Sequence, residues 1–407
     1  MVRPVLAGEP GGHAGSGLGR PSAFSRSTGG RIPPGFAWTV AGGRRIKKAT
    51  VSGRGYFSLL VLSMLGSVSL IGGTSEGGRD TWITILLAAL LYLPLLFCTL
   101  SLLPGEHSVE GVFSRCAGKV GGRLFSLFYG LTAWYLSAVT TGVFVFFLSE
   151  TTLWATPRPV LALMMGCTLF FMARAGCAAL GRTGEMLLPI VMAFVLLSVL
   201  VTLPQCDFRA LLPLQEKWNN LFQGTFTALI LSFAECFFPL VVLGVCLTEE
   251  QKRKRGAMGA VFLTALTLCS VFIKNLAALD YYAVSSYYFP SFAVASLVSL
   301  GSFFQRFEIF VAVNFLFCQF CKAGLCILFA QKALAPVFSC REKLLTMPLT
   351  LSAVNLALLF FTSEMELFTF LGLEKYILTP ALLLFPPLLA LGRFWRSRRH
   401  AALQKKR

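Results

Sequence analysis

Residues 221–247 read LFQGTFTALILSFAECFFPLVVLGVCL, 27 residues without a Lys, Arg, Asp or His and with one carboxylate, Glu235, near the middle. An α-helix rises about 1.5 Å per residue, so a run of this length crosses the ~30 Å hydrocarbon core of a bilayer. A carboxylate at that depth is costly unless it pairs, takes a proton or faces a cavity. Ser232, Glu235 and Pro239 fall at i, i+3 and i+7, so they share one helical face. Pro239 removes a backbone donor from the same stretch. The expectation is a membrane helix interrupted at mid-depth, with Glu235 as a proton carrier or as the partner of a ligand amine.

Nine further apolar runs accompany it: 56–71, 81–103, 124–148, 159–173, 186–203, 259–279, 303–329, 344–361 and 378–391. Basic residues alternate across them. The N-terminal tail, the even-numbered loops and the C-terminal tail hold 28 of the 36 Lys and Arg, and the other side holds only Arg79, Arg158, Arg209, Lys217 and Lys375. Positive residues favour the cytoplasmic face, so both termini are expected inside. The net charge of +18 is thereby mostly a topology signal rather than a nucleic-acid patch.

A mean hydropathy of +0.72 with 13% charged residues excludes a soluble globular class at this length. Residues 1–49, rich in Gly, Arg, Pro and Ser, show no apolar periodicity, and a disordered basic tail is expected there. The membrane domain is expected over 50–395 and a basic cytoplasmic tail over 396–407. No cleavable signal sequence is read. The twelve cysteines lie mainly in or beside apolar runs, and Cys318 and Cys321 lack a second ligand pair, so packing is expected rather than metal or redox chemistry. The three histidines fall outside the runs, and neither a nucleophile elbow nor a phosphate loop is present. No enzyme activity, cofactor or metal is expected.

Ten spans divide into two sets of five, and an odd number per half makes the second half enter the membrane from the opposite side. That suits an inverted repeat whose first and sixth helices are broken near the midplane. The first span carries Gly66, Ser67, Val68 and Ser69; its counterpart carries Ser232, Phe233, Ala234 and Glu235. Small residues make an unwound backbone tolerable, and freed amides and carbonyls there would hold the carboxylate or ammonium of an amino acid. Close helix packing is the competing reading for the glycines. The eighth span presents Glu308, Ala312, Phe315, Gln319 and Lys322 along one face. Arg306 and Glu308, two apart, point away from each other on a regular helix, which leaves Lys274 as the candidate partner of Glu308. Lys322 is expected to extend inward to the membrane surface. Tyr135 on the third span is a candidate wall residue, and Tyr129 an interfacial anchor.

Four stretches resemble the B-subunit, permease-like family of bacterial spore germinant receptors, a branch of the amino acid–polyamine–organocation transporters. Residues 108–123 are similar to its amphipathic segment turning into the third span, Asp80-Thr81-Trp82-Ile83 to its opening of the second, Phe233-Ala234-Glu235 to its Phe-Gly-Glu break, and Gln305-Arg306-Phe307-Glu308 to its Glu-Arg-x-Glu motif. Ala234 and Gln305 depart from the family's residues. The resemblance implies an all-α polytopic membrane protein with a LeuT-like 5+5 inverted repeat. It implies a nutrient sensor, commonly for an amino acid, in the spore inner membrane, assembled with a partly soluble A subunit and a lipoprotein C subunit. The expected ligand site comprises Gly66, Ser67, Val68, Ser69, Tyr135, Ser232, Phe233, Ala234, Glu235 and Arg306, with Glu308 and Lys274 as coupling or structural polar groups. A proton- or sodium-coupled amino acid transporter is the alternative on the same scaffold.

Overall fold

In a computed structural model, residues 50–66, 77–212, 218–247, 249–297, 306–360 and 363–405 are described. The expected N-terminal tail, and Ser67, Val68 and Ser69 of the expected site, lie outside them. All regular structure among the described residues is helical. The helices are α1 (Gly53–Leu65), α2 (Thr81–Leu102), α3 (Val109–Thr151), α4 (Arg158–Ala175), α5 (Cys177–Thr202), α6 (Trp218–Ala228), α7 (Phe237–Gly244), α8 (Glu250–Ser286), α9 (Pro290–Leu297), α10 (Glu308–Val337), α11 (Glu342–Phe360), α12 (Glu364–Thr379) and α13 (Phe385–Lys405). Among the described residues nine helical stretches are long and apolar enough to cross a membrane, and α1 is a shorter apolar helix.

The exterior is apolar, as a bilayer demands. Leu90 and Leu91 on α2, Leu163 and Phe171 on α4, Met186 and Leu200 on α5, and Phe262 and Leu266 on α8 all face outward. Hydrocarbon solvates such a surface, and helices satisfy their own backbone groups within it. Inside, α3 and α10 form the central pair, with α1, α2 and α7 on one flank and α4 and α11 on the other. The crossing of α1 and α5 is backbone to backbone. A Cβ on Gly55 would stand 2.8 Å from the Gly181 carbonyl oxygen, so only glycine fits there.

Two helices bend where the sequence permits it. Gly118, at φ 85°, separates the amphipathic start of α3 from its membrane portion. Asp280, at φ 61°, breaks α8 before the Tyr281–Tyr282 pair, and the short α9 follows. The basic loops gather at one end of the bundle. Gly53 lies against Lys252 and Gly118 against Arg396, while the Arg393 and Arg115 guanidiniums both donate to the Pro104 carbonyl at 2.9 Å. Arg253 closes the same end by donating to the Gly244 carbonyl, an acceptor that the C-terminus of α7 leaves without a helical partner.

The last span departs from the sequence expectation. It runs over Met365–Arg396 rather than starting at 378, and it contains Glu374 and Lys375, the latter counted above among the basic residues between spans. Both side chains are buried, because Lys375 donates to Thr227 Oγ1 at 3.1 Å and Glu374 joins the polar centre described below. Lys375 therefore leaves the group of basic residues on the opposite side. A π turn over Pro380–Leu384 joins α12 to α13, and the Ala381 carbonyl within it accepts a 2.8 Å hydrogen bond from Tyr129. Tyr129 is fully buried against Phe113 and Phe237, so it is a core residue and not an interfacial anchor.

Candidate functional site

The sixth span is pinched where Glu235 stands. After α6 the chain widens into a π turn over Leu229–Phe233, tightens into a 3₁₀ turn over Ala234–Cys236, and resumes as α7. Pro239 sits in the first turn of α7, where a backbone N–H has no intrahelical acceptor in any case. The change of winding lets the stretch stay hydrogen-bonded without the regular ladder: the Ala234 N–H reaches Leu229 O and the Phe237 N–H reaches Ala234 O. Such π irregularities are a recurrent feature of functional sites.

Glu235 is 5% exposed, and its Oε2 lies 2.5 Å from the Nζ of Lys322 on α10, itself 6% exposed. The sequence expectation that Lys322 runs to the membrane surface is thereby corrected; desolvation favours a carboxylate over solvent-free hydrocarbon as its partner. One turn earlier on α10, the Gln319 amide donates to the Gly66 carbonyl at 3.3 Å, capping the end of α1. Gly66 also makes room for the lysine. A Cβ at that position would stand 2.9 Å from Lys322 Cδ and 3.3 Å from Lys322 Cβ.

Glu374 of α12 adds a second buried carboxylate, 1% exposed, within the electrostatic field of Glu235 and Lys322. Its Oε1 makes no hydrogen bond among the described residues, and neither do Gln319 Oε1, Ser232 Oγ or the Tyr135 hydroxyl. Tyr135 packs its ring edge-on to Phe370 at 6.2 Å and stands in the field of both carboxylates. Phe233 stacks obliquely with Tyr92 at 6.0 Å and walls the site toward α2. The result is two carboxylates, one ammonium and several unsatisfied acceptors and hydroxyls enclosed in apolar packing. Buried polar atoms are nearly always hydrogen-bonded in folded proteins, so this concentration sets the region apart from the apolar packing around it.

Of the residues expected from sequence, Gly66, Ser232, Phe233, Ala234 and Glu235 meet here, with Tyr135 beside them. Arg306 does not. It precedes α10, its side chain is 71% exposed, and it pairs with Glu308 at 3.4 Å. The expectation that these two cannot meet assumed a helix through both, whereas α10 begins at Glu308. Fourteen residues of α10 separate Glu308 from Lys322, about 21 Å at 1.5 Å per residue. Lys274 does not reach Glu308 either, because it donates to Ser198 Oγ on α5 at 3.0 Å. Glu374 was missed. The signal that could have found it is a pair of charges, Glu374 and Lys375, inside an otherwise apolar stretch.

Comparison with known proteins agrees with this architecture. The pattern of the family described as "Spore germination protein" matches residues 50–366. Spore germination protein KB of Bacillus subtilis (strain 168) is 24% identical over 370 residues, covering 87% of this chain and 97% of the relative. Spore germination protein XB of Bacillus anthracis is 22% identical over 288 residues, covering 67% and 78%. Among solved structures, MhsT in complex with L-phenylalanine superposes with a TM-score of 0.62 at 14% identity, covering 86% of this chain and 88% of that one. A substrate-bound, outward-open Na⁺-coupled sialic acid symporter gives 0.61 at 11% identity, with 86% and 82% covered. These two establish the fold, a LeuT-like helical bundle, and the sixth span is interrupted at Leu229–Cys236. The chain is a multi-pass membrane protein and belongs to the permease-like family of spore germination proteins.

Proposed function

We propose that the chain is the membrane subunit of a nutrient germinant receptor and that it binds an amino acid at the Glu235–Lys322 pair. The observation that carries this reading is the charge balance of the buried centre: among the described residues it holds Glu235 paired with Lys322, and Glu374 as a second carboxylate within the field of both. A zwitterionic amino acid complements such a centre. Its ammonium goes to the carboxylate pair, and its carboxylate goes to Lys322. The fold neighbour crystallised with L-phenylalanine supports an amino acid as the ligand class. Binding exchanges one internal ion pair for two ligand pairs, which favours a conformer in which α1, α7 and α10 have moved apart. Partner A and C subunits then transmit that shift, with both chain termini on the cytoplasmic side of the spore inner membrane.

A proton- or sodium-coupled transporter is the second reading, favoured by the transport role of the sialic acid symporter. Two experiments separate the readings. Spores carrying Glu235→Gln at unchanged protein level lose or shift their amino acid response if the pair is the ligand site. Proteoliposomes under an imposed proton or sodium gradient accumulate labelled amino acid only if the chain transports. A normal response in the Glu235→Gln spores removes Glu235 from the site.

A further inference from the structure

A further buried ammonium, besides Lys322 and Lys375, lies away from this centre. Lys274 is 4% exposed on α8, about 33 Å along the helix from Lys252 at 1.5 Å per residue, and so toward the end of the bundle opposite the basic loops. Its Nζ donates to Ser198 Oγ at 3.0 Å, and no carboxylate among the described residues pairs with it. A buried ammonium facing only a neutral hydroxyl is expensive in this medium, unlike Lys322, which has its own acid.

The surroundings of Lys274 point to what offsets that cost. Lys274, Ser198, Ser291 and Asn314 line a partly open cleft between α5, α8, α9 and α10, whose other walls are the apolar side chains of Phe194 and Val311. Asn314 is 8% exposed, and its Oδ1 makes no hydrogen bond. Turning that amide over presents its two N–H donors to the same space. Asn275, next to the lysine, is also buried and holds Ser291 in place through a 2.8 Å hydrogen bond to its Oγ. The free space beside the lysine admits a guest about the size of a water molecule or a halide.

We propose that this cleft is an anion site, taking chloride or the carboxylate group of a small acid on Lys274, Ser198 and Asn314. One ammonium, hydroxyl donors and an amide within apolar walls suit a monovalent anion: the guest cancels the buried charge, and the walls exclude a large hydrated one. The site is independent of the amino acid reading, because Lys274 and Glu235 sit on different helices and share no partner.

The test uses the purified full chain in nanodiscs, with gluconate as the starting anion and constant ionic strength. Chloride and acetate are titrated separately while thermal unfolding is followed. A saturable rise in the midpoint with either anion is expected, since a guest that binds only the folded state stabilises it. Chloride alone giving the rise assigns a halide site, and acetate giving it assigns a carboxylate site. Lys274→Gln should abolish the rise and Lys274→Arg should retain it. Asn314→Leu, which keeps the lysine, should raise the half-saturating concentration at least fivefold and covers the case in which Lys274→Gln does not fold. Absence of a saturable rise in the unaltered chain, or an equal rise in Lys274→Gln or Asn314→Leu, overturns the proposal.

Discussion

Removing Lys322 and removing Glu235 should have unequal consequences, and the inequality tests the geometry of the buried centre. At 2.5 Å the attraction within the pair is on the order of 7 kcal/mol for an effective dielectric of about 20. Desolvation costs several kcal/mol for each ion, so the intact pair is close to balanced. Lys322→Met leaves Glu235 and Glu374 facing each other without a cation, and the loss should reach the ~3–5 kcal/mol typical of an orphaned buried charge. Glu235→Gln leaves Lys322 with Glu374 as a remaining carboxylate, so the loss should be nearer the ~1.5–3 kcal/mol of one charge-assisted hydrogen bond. The double variant, nearly isosteric and lacking both charges of the pair, should recover much of the difference, with a coupling energy of at least ~1.5 kcal/mol. Unfolding by SDS titration in mixed micelles, followed by intrinsic fluorescence, reads all four proteins on one scale. Equal losses in the two single variants would refute the assignment of Glu374 to the same centre. Additive losses in the double variant would refute the pair itself.

Other consequences follow from single contacts. Gly66→Ala places a Cβ 2.9 Å from Lys322 Cδ, so it should lower stability by about 1–3 kcal/mol and weaken amino acid binding, whereas Gly66→Ala in the Lys322→Met background should cost less. Glu374→Gln removes the carboxylate in excess over Lys322; the SDS midpoint should hold or rise while amino acid affinity falls about tenfold, as expected when a charged partner of the ligand is lost. Tyr129→Phe deletes the hydrogen bond to the Ala381 carbonyl and should cost about 0.5–1.5 kcal/mol in the same unfolding assay, leaving affinity unchanged. Gly55→Leu puts a side chain into the Gly181 backbone and should prevent a monodisperse protein by size-exclusion chromatography, because α1 and α5 have no rotamer to yield.

Much of this molecule is legible in its residues, for identifiable reasons. Span length and composition respond to one strong constraint, the absence of water in the bilayer, so the runs at 81–103, 159–173, 221–247 and 344–361 fall within about three residues of the observed helical stretches, while those at 124–148, 186–203 and 259–279 are the apolar parts of longer helices. Glu235 was legible because a lone carboxylate in 27 apolar residues must be explained by its surroundings. The shared face of Glu308, Ala312, Phe315, Gln319 and Lys322 followed from helical periodicity, and the last four are buried, Lys322 against the expectation that it extends to the membrane surface. The identity of partners was not legible. Lys322 and Glu235 are 87 residues apart, and nothing local in either span says that they meet. Glu374 and Lys375 fell outside the last apolar run, which was read from 378, although Lys375 is buried against Thr227 of another helix. Arg306 was placed in the site with a motif resemblance, and the reading that it cannot pair with Glu308 assumed a helix two residues longer than the one that forms.

The central claim is that an amino acid occupies the polar centre between the ends of α1 and α7, held by Glu235. Equilibrium binding of labelled amino acids to the purified chain in nanodiscs, measured in parallel for the unaltered protein and for Glu235→Gln, addresses it directly. Saturable binding of at least one amino acid, lost in Glu235→Gln while its folded fraction is unchanged, is the predicted result. Equal binding by both proteins would contradict it.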